Sequence, residues 1–356
     1  MDANLTGKRI LITGGTGSLG KVLVRRLLSG QAGDIERIAI LSRDEAKQHQ
    51  LRLEYLQRNN PTDEIVYKNG RERLAFHIGD VRDPSSLVGA LRNADIVVNA
   101  AALKQVPTCE YFPTEAVMTN IIGARNIVRV IREQNLSVET VVGVSTDKAV
   151  QPVNVMGMTK ALQERVFHVA NLDMPGTCFV VVRYGNVLAS RGSVIPWFHQ
   201  RIRAQQPITI TDQRMTRFLL SLETAVDAVL AAVATARPGE TYIPRVPAAR
   251  MTDVAHALIG DRRIPIEVTG IRPGEKLHEC LVSGEEAIRT YIRGNYYVVA
   301  PILPELRNAD NYQGEPLGAP YMSNDDLMGL ADTRALLERH HLMVDDDLQL
   351  EGEMLR

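Results

Sequence analysis

A doubly wound, Rossmann-type α/β fold with a smaller C-terminal α/β substrate-binding lobe is what the sequence predicts, and three observations carry it. Short apolar runs alternate with helical patterns through the first half of the chain. Those runs are continuous in Val and Ile rather than alternating with polar residues, the mark of a parallel sheet covered on both faces. A turn spaced by Gly14, Gly17 and Gly20 stands between the first strand and the first helix, where such folds receive a pyrophosphate.

The elements follow in order. "RILIT" reads as the first strand and "LGKVLVRRLLSG" as the helix behind the glycine turn. "RIAIL" and "LAFHIG" give the second and third strands, and "DPSSLVGALRN" a helix after them. "DIVVNAA", the helical "NIIGARNIVRVIREQN", then "TVVGVS" and "CFVVVRYG" complete a sheet of repeated strand and helix. Residues 1–185 are thereby assigned to an NADP-binding Rossmann domain. Pro-containing turns at "GSVIPWF", "YIPRVP" and "GIRPGEK" then mark a substrate-binding lobe over 186–290. The chain is expected to cross back to the first domain around 218–238. Residues 291–356, with the Pro- and Gly-rich "APILPELRNADNYQGEPLGAP", are expected to form an irregular covering segment.

Composition narrows the function. With 41 basic and 42 acidic residues in 356, the net charge of -1 gives no bulk attraction to nucleic acid or to an anionic membrane. The longest apolar runs, such as "AVDAVLAAVATA", are too short to span a bilayer. Three cysteines, Cys109, Cys178 and Cys280, lack CxxC spacing, so no zinc or other metal site and no disulfide framework is expected. The expectation is a reduced, cytoplasmic location. "MDANLTGKRILITGG" runs directly into a strand, without the pattern of a signal peptide.

The cofactor site is read from strand ends. The turn around Gly14, Thr16, Gly17, Ser18, Leu19 and Gly20 presents backbone N–H groups and a helix N-terminus to a pyrophosphate. Gly15 to Lys21 also reads as the start of a Walker A loop, but Val22 stands where Mg²⁺ needs a Ser or Thr. The second strand ends at Ser42 and Arg43 rather than at an acidic residue, with Lys47 one helical turn on. A small residue followed by cations suits a 2′-phosphate and favours NADP, while Asp44 keeps NAD open. Asp80 and Val81 end the third strand beside the adenine. Ala100, Ala101 and Ala102 end the fourth, where small side chains let a cofactor lie against the backbone.

"STDKAVQPVNVMGMTK", residues 145–160, holds the chemistry and a puzzle. In short-chain dehydrogenases a Tyr four residues before a Lys usually carries the proton. Here Lys160 is preceded by Met156, whose thioether carries none. Ser145, Thr146, Asp147 and Lys148 end a strand and so reach the carboxyl edge of the sheet, where ligands bind.

The ordered set "TGGTGSLG", "SRDE", "GDVRD", "AAALKQVPTCEYFP", "STDKAVQPVNVMGMTK", "RYGNVLASRGSV", "MTRF" and "GIRPGEKLHE" is similar to the extended short-chain dehydrogenase/reductase family. More narrowly, it resembles the UDP-N-acetylglucosamine 4,6-dehydratases of bacterial capsule, lipopolysaccharide and protein-glycan pathways, over about residues 5–290. "ALKQVPTCE" leans towards the branch that also inverts C5, and a subset of the family has Met at the tyrosine position. The resemblance implies hydride transfer from C4, loss of water across C5 and C6, and hydride return to C6.

It implies Thr146 as a hydrogen-bonding or relay group at the C4 hydroxyl and Asp147 as the acid at the C6 hydroxyl. Lys148 is the base at C5, provided burial and nearby charge lower its proton affinity, and Lys160 holds the nicotinamide ribose. The C4 hydroxyl proton is left to Thr146 with water or to Lys148. It further implies Lys104 near the sugar and Asn186, Arg191, Arg217 and Arg272 at the diphosphate, with Glu275 shaping the nucleotide pocket. The expected partner is a UDP-sugar, and a homo-oligomer is the family's habit. The alternatives are a UDP-sugar 4-epimerase of the same fold and a non-catalytic NADP-sensing protein.

Overall fold

The computed structural model describes residues 4–56, 73–188, 193–308 and 311–346. Six parallel strands build the first half: β1 Arg9–Thr13, β2 Arg37–Ser42, β3 Leu74–Ile78, β4 Ile96–Asn99, β5 Thr140–Thr146 and β6 Cys178–Tyr184. Next in the chain are β7 Asn186–Val187, β8 Ile208–Ile210, β9 Thr216–Leu220, β10 Thr241–Pro244, β11 Ala248–Arg250 and β12 Ile266–Val268. The last are β13 Cys280–Val282, β14 Thr290–Arg293, β15 Tyr296–Val299 and β16 Tyr321–Met322.

The main sheet has nine strands in the order β14-β15-β10-β6-β5-β4-β1-β2-β3. From β3 to β10 every pairing is parallel, and the hairpin β14 and β15 closes the far edge antiparallel. The order reverses between β1 and β4, which opens a crevice at the carboxyl ends of these strands.

Strand composition explains the two covered faces. Along β1, Ile10 and Ile12 enter one core cluster while Leu11 enters the other. Along β5, Val142 and Val144 face the first cluster and Val141 the second. Side chains alternate in direction along a strand, so a continuous apolar run is what two buried faces require. The helix Leu222–Thr235 returns from the lobe and buries Ala225, Val226 and Val229 against the first of these faces. Arg25 and Arg26 of helix Ser18–Leu28 bind its Glu223 and Asp227.

The lobe has its own core, including Phe198, Ile208, Leu219, Leu258 and Leu337, between helices Val194–Arg203, Met251–Ile259 and Leu330–Arg339. Its strands pair as β11-β9-β7, β12-β8 and β13-β16. The main sheet takes three of its strands from beyond residue 185: β10, β14 and β15. The stretch from residue 291, expected only to cover, thus contributes β15 and most of β14 to that sheet.

Candidate functional site

A cleft of about 1050 Å³ opens at the crevice between the carboxyl edge of the sheet and the lobe. Its nucleotide side is lined by Gly14, Thr16, Gly17, Ser18, Leu19 and Gly20 at the first turn. Gly14 has φ +66, and a Cβ there would stand 2.7 Å from the Ala101 amide nitrogen. Gly20 is equally constrained: a Cβ would meet the Gly15 backbone at 2.4 Å. The two glycines let three backbone segments meet at van der Waals distance and leave the helix N-terminus open to an anion. Ala100, Ala101 and Ala102 line the same wall.

Ser42, Arg43, Lys47, Asp80 and Val81 line the end of the cleft where the sequence reading places the adenosine. Thr16 and Ser42 share a hydrogen bond of 2.9 Å between hydroxyls, tying the glycine turn to the end of β2. The two cations are each matched by an acid. Arg43 Nη1 lies 3.5 Å from Asp80 Oδ2, and Lys47 Nζ 2.8 Å from Asp44 Oδ2. The Lys47 side chain and amide hold the Asp44 carboxyl below its ordinary range. Burial pushes the Asp80 carboxyl up, but Arg82 with Arg43 outweighs it and leaves it lowered.

The centre of the cleft is the stretch 145–160. β5 ends at Thr146, and a 3-10 turn, Asp147–Ala149, delivers the next residues across the sheet edge. Thr146 and Lys148 line the cleft, while Asp147 lies fully buried beneath them. Asp147 Oδ1 accepts from Thr146 Oγ1 at 2.9 Å and from Lys148 Nζ at 3.0 Å. Its Oδ2 is buried without a partner among the described residues. Asp147 is therefore linked to the cleft through the hydroxyl and the amine above it. Lys148 Nζ also lies 3.4 Å from Asn186 Oδ1 and 3.4 Å from Glu279 Oε1.

Lys148 departs from expectation in sign. Burial works against its charge, but Asp147 and Glu279 outweigh burial and raise its proton affinity above the ordinary lysine value. The nearby charge thus does not supply a neutral amine; it holds an ammonium. Lys160 behaves oppositely. It is buried on helix Val155–Asp173, donating to the Val144 carbonyl at 2.6 Å and to Gln163 Oε1 at 2.8 Å. Burial pushes it down to about 8, against the pull of Glu164.

Met156 lines the cleft while packing with Cys109 and Ala116 in a small apolar cluster. The thioether at 156 itself carries no proton. Tyr184 does line the cleft at the end of β6, but burial pushes its hydroxyl up, away from service as a base.

The lobe brings Asn186, Arg217, Arg272 and Glu275 to the opposite wall, and Lys104 reaches the cleft from the loop after β4. Arg217 is buried, donating to the carbonyls of Thr216 at 2.7 Å and Leu277 at 3.2 Å. Arg272 is exposed on the loop whose Gly274 has φ +80, and its amide faces Glu275 Oε2 at 3.4 Å. Arg191 lies outside the described residues. This loop is stitched to the centre: Asn154 Nδ2 donates to the Gly274 carbonyl at 2.8 Å, and Lys276 Nζ to the Val150 carbonyl.

Sequence reasoning missed Glu279. It is 2 % exposed, contacts Lys148, and stands 3.8 Å from Arg217 Nε. The available signal was an acid set directly before the apolar strand "CLV", a position with no surface role. Among the described residues no group of His, Cys, Asp and Glu has metal-holding geometry, and no helix is long and apolar enough to cross a membrane.

The family described as polysaccharide biosynthesis protein matches residues 10–301. A UDP-glucose 4-epimerase of Rickettsia bellii is 44% identical over 296 residues, 82% of either chain. A UDP-N-acetylglucosamine 4,6-dehydratase (inverting) of Campylobacter jejuni subsp. jejuni is 40% identical over 316 residues, 88% of either chain. Among solved structures, Pen from Bacillus thuringiensis is similar at TM-score 0.84 and 31% identity, covering 95% of this chain and 99% of that one.

Proposed function

The chain belongs to the polysaccharide biosynthesis family of extended short-chain dehydrogenases/reductases, and from that premise we propose that it is an NADP-dependent UDP-N-acetylglucosamine 4,6-dehydratase that inverts C5. The observation that carries the reading is the direct contact of Asp147 and Lys148 at the sheet's carboxyl edge. Elimination across C5 and C6 needs an acid and a base side by side, whereas epimerisation at C4 needs only one group to take and return the C4 hydroxyl proton. The inverting relative from C. jejuni supports both the substrate and the outcome at C5.

The residues fit a dinucleotide. The Gly14 and Gly20 approaches leave a cradle that a Cβ would fill, and the helix beginning at Ser18 turns its amides to it. A nicotinamide bound there supplies hydride acceptance and return. The chain's own groups handle the protons. Thr146 hydrogen-bonds the C4 hydroxyl and relays its proton to water, which leaves the Asp147 and Lys148 pair with its single shared proton. Lys148 removes the C5 proton, and Asp147 protonates the departing C6 oxygen. Lys160 holds the nicotinamide ribose. Asn186, Arg217 and Arg272 receive the diphosphate, with Lys104 near the sugar and Glu275 shaping the nucleotide pocket.

The choice of NADP rests on Ser42 and the half-exposed Arg43. Arg43→Ala is expected to weaken NADPH binding about tenfold, the loss of one charge-assisted contact, with NADH binding little changed. Isothermal titration with each nucleotide checks this; equal effects on both would remove the case for NADP.

The R. bellii relative supports a second reading, a UDP-sugar 4-epimerase. Incubation with UDP-N-acetylglucosamine and with UDP-glucose, followed by mass spectrometry and NMR, separates the two. A product lighter by one water selects the dehydratase. Unchanged mass with C4 inverted selects the epimerase.

A further inference from the structure

Two buried carboxylates, Asp147 and Glu279, converge on the one ammonium of Lys148, and each leaves an oxygen without a partner among the described residues. An unsatisfied buried carboxylate oxygen is costly and calls for a reason. Neutralising Arg217 is too little, since Glu279 approaches it only to 3.8 Å and Arg217 spends its Nη1 donor on carbonyls. Glu279 is also built into place. Its amide donates to Ser323 Oγ at 2.9 Å, and that hydroxyl, fully buried, pairs with Thr216 Oγ1 at 2.6 Å. Ser323 comes from the C-terminal segment, so the far end of the chain fixes a carboxylate against the centre of the cleft.

We propose that Glu279 is a positioning residue of the elimination: it holds Lys148 as the proton-bearing member of the Asp147 and Lys148 pair and restores that form after each C5 deprotonation. The inference deepens the dehydratase reading and rests on it. The pair carries one shared proton. Transfer from Nζ to Asp147 Oδ1, across 3.0 Å, leaves a free amine and a carboxylic acid. The amine takes the C5 proton, the C5–H electrons form the C5=C6 bond, the C6–O bond breaks, and the acid's proton completes the water. The pair ends as ammonium and carboxylate again. The Glu279 carboxylate, 3.4 Å from Nζ, favours that end state.

The groups facing Lys148 are Asp147, Glu279, Asn186 and Arg217, with Lys276 nearby as a second, repelling cation. Removing Glu279 deletes one of two attractive charges and leaves both repulsive ones. The pair loses its shared proton at lower pH, since an opposite charge this close moves a titration by about one to three pH units. Glu279→Gln is expected to move the basic limb of the kcat/KM profile down by about one unit or more, so that activity above the limb falls roughly tenfold. Ser323→Ala is expected to move it the same way by less.

The matching direct readout is the Lys148 titration followed by NMR of protein labelled at lysine Cε, assigned through Lys148→Met. A Lys148 titration unmoved by Glu279→Gln overturns the inference, whatever reaction the protein performs. A parent enzyme that releases no water overturns the dehydratase reading instead, and the two failures are told apart in this way. Should Glu279→Gln fold poorly, the Ser323→Ala shift alone decides: downward supports the proposal and no movement overturns it.

Discussion

Lys148→Met is expected to lower turnover of UDP-N-acetylglucosamine by roughly 10²–10⁴-fold, the range that a positioned proton-transfer group supplies, while NADP(H) stays bound. Lys148 lines the cleft, touches a buried carboxylate and stands just past the end of β5. Met keeps the length of the side chain and removes both proton and charge. It leaves Asp147 and Glu279 as buried carboxylates without their cation, so thermal unfolding is followed alongside to separate lost chemistry from lost fold. Cofactor retention, read as nucleotide absorbance after gel filtration, reports the intact glycine cradle. Asp147→Asn is expected to fall in the same range, because the proposed elimination uses acid and base in one step. Turnover within a few-fold of the parent in both variants would remove them from the mechanism and leave a cofactor-binding protein of another kind.

Arg183→Met is expected to destabilise the fold by about 3–5 kcal/mol, the cost of stripping one partner from a buried ion network. Arg183, 3 % exposed on β6, binds Glu164 Oε2 at 2.7 Å and Glu286 Oε2 at 2.8 Å, and donates to the Leu281 carbonyl. Glu164 in turn accepts from Ser145 Oγ at 2.5 Å. Burial pushes the Glu286 carboxyl up, but Arg183 prevails and brings it down to about 2. Without the guanidinium, buried Glu164 loses its cation and Glu286 is left with Arg289 at 4.0 Å. Urea unfolding measures the loss, and the triple variant Arg183→Met, Glu164→Gln, Glu286→Gln is expected to recover much of it. A single variant as stable as the parent would mean that the network contributes nothing.

The parallel sheet was legible because its cause is local. Ile10 to Ile12 or Val141 to Val144 must be apolar on both sides, and each can be recognised without knowing its neighbours in space. The glycine turn is legible for the same reason: Gly14 and Gly20 answer to backbone crowding within a few residues or at the adjoining strand. The hairpin of β14 and β15 carried a turn signal at Gly294 and Asn295, but nothing local says that it joins the same sheet as β1. The sign of the Lys148 titration was not legible either. Against burial, Asp147 and then Glu279 raise the proton affinity, and Glu279 reaches the lysine from a distant part of the chain. Asp147 was read as a cleft residue, since a strand end is a sound guide to the sheet edge. Whether a side chain lines that edge or sits under it depends on the turn geometry after Thr146.

The bonds from Asn154 to Gly274 and from Lys276 to Val150 bear on how such a protein can be recombined. Each uses a side chain on one half and a backbone carbonyl on the other, so the seam runs in both directions. A chimera joining the Rossmann half of this chain to a relative's lobe inherits the seam only if Asn154 and a lysine at 276 are both present. The lobe supplies Glu279 as well as Arg217 and Arg272, so lobe transplantation also resets the charge around Lys148.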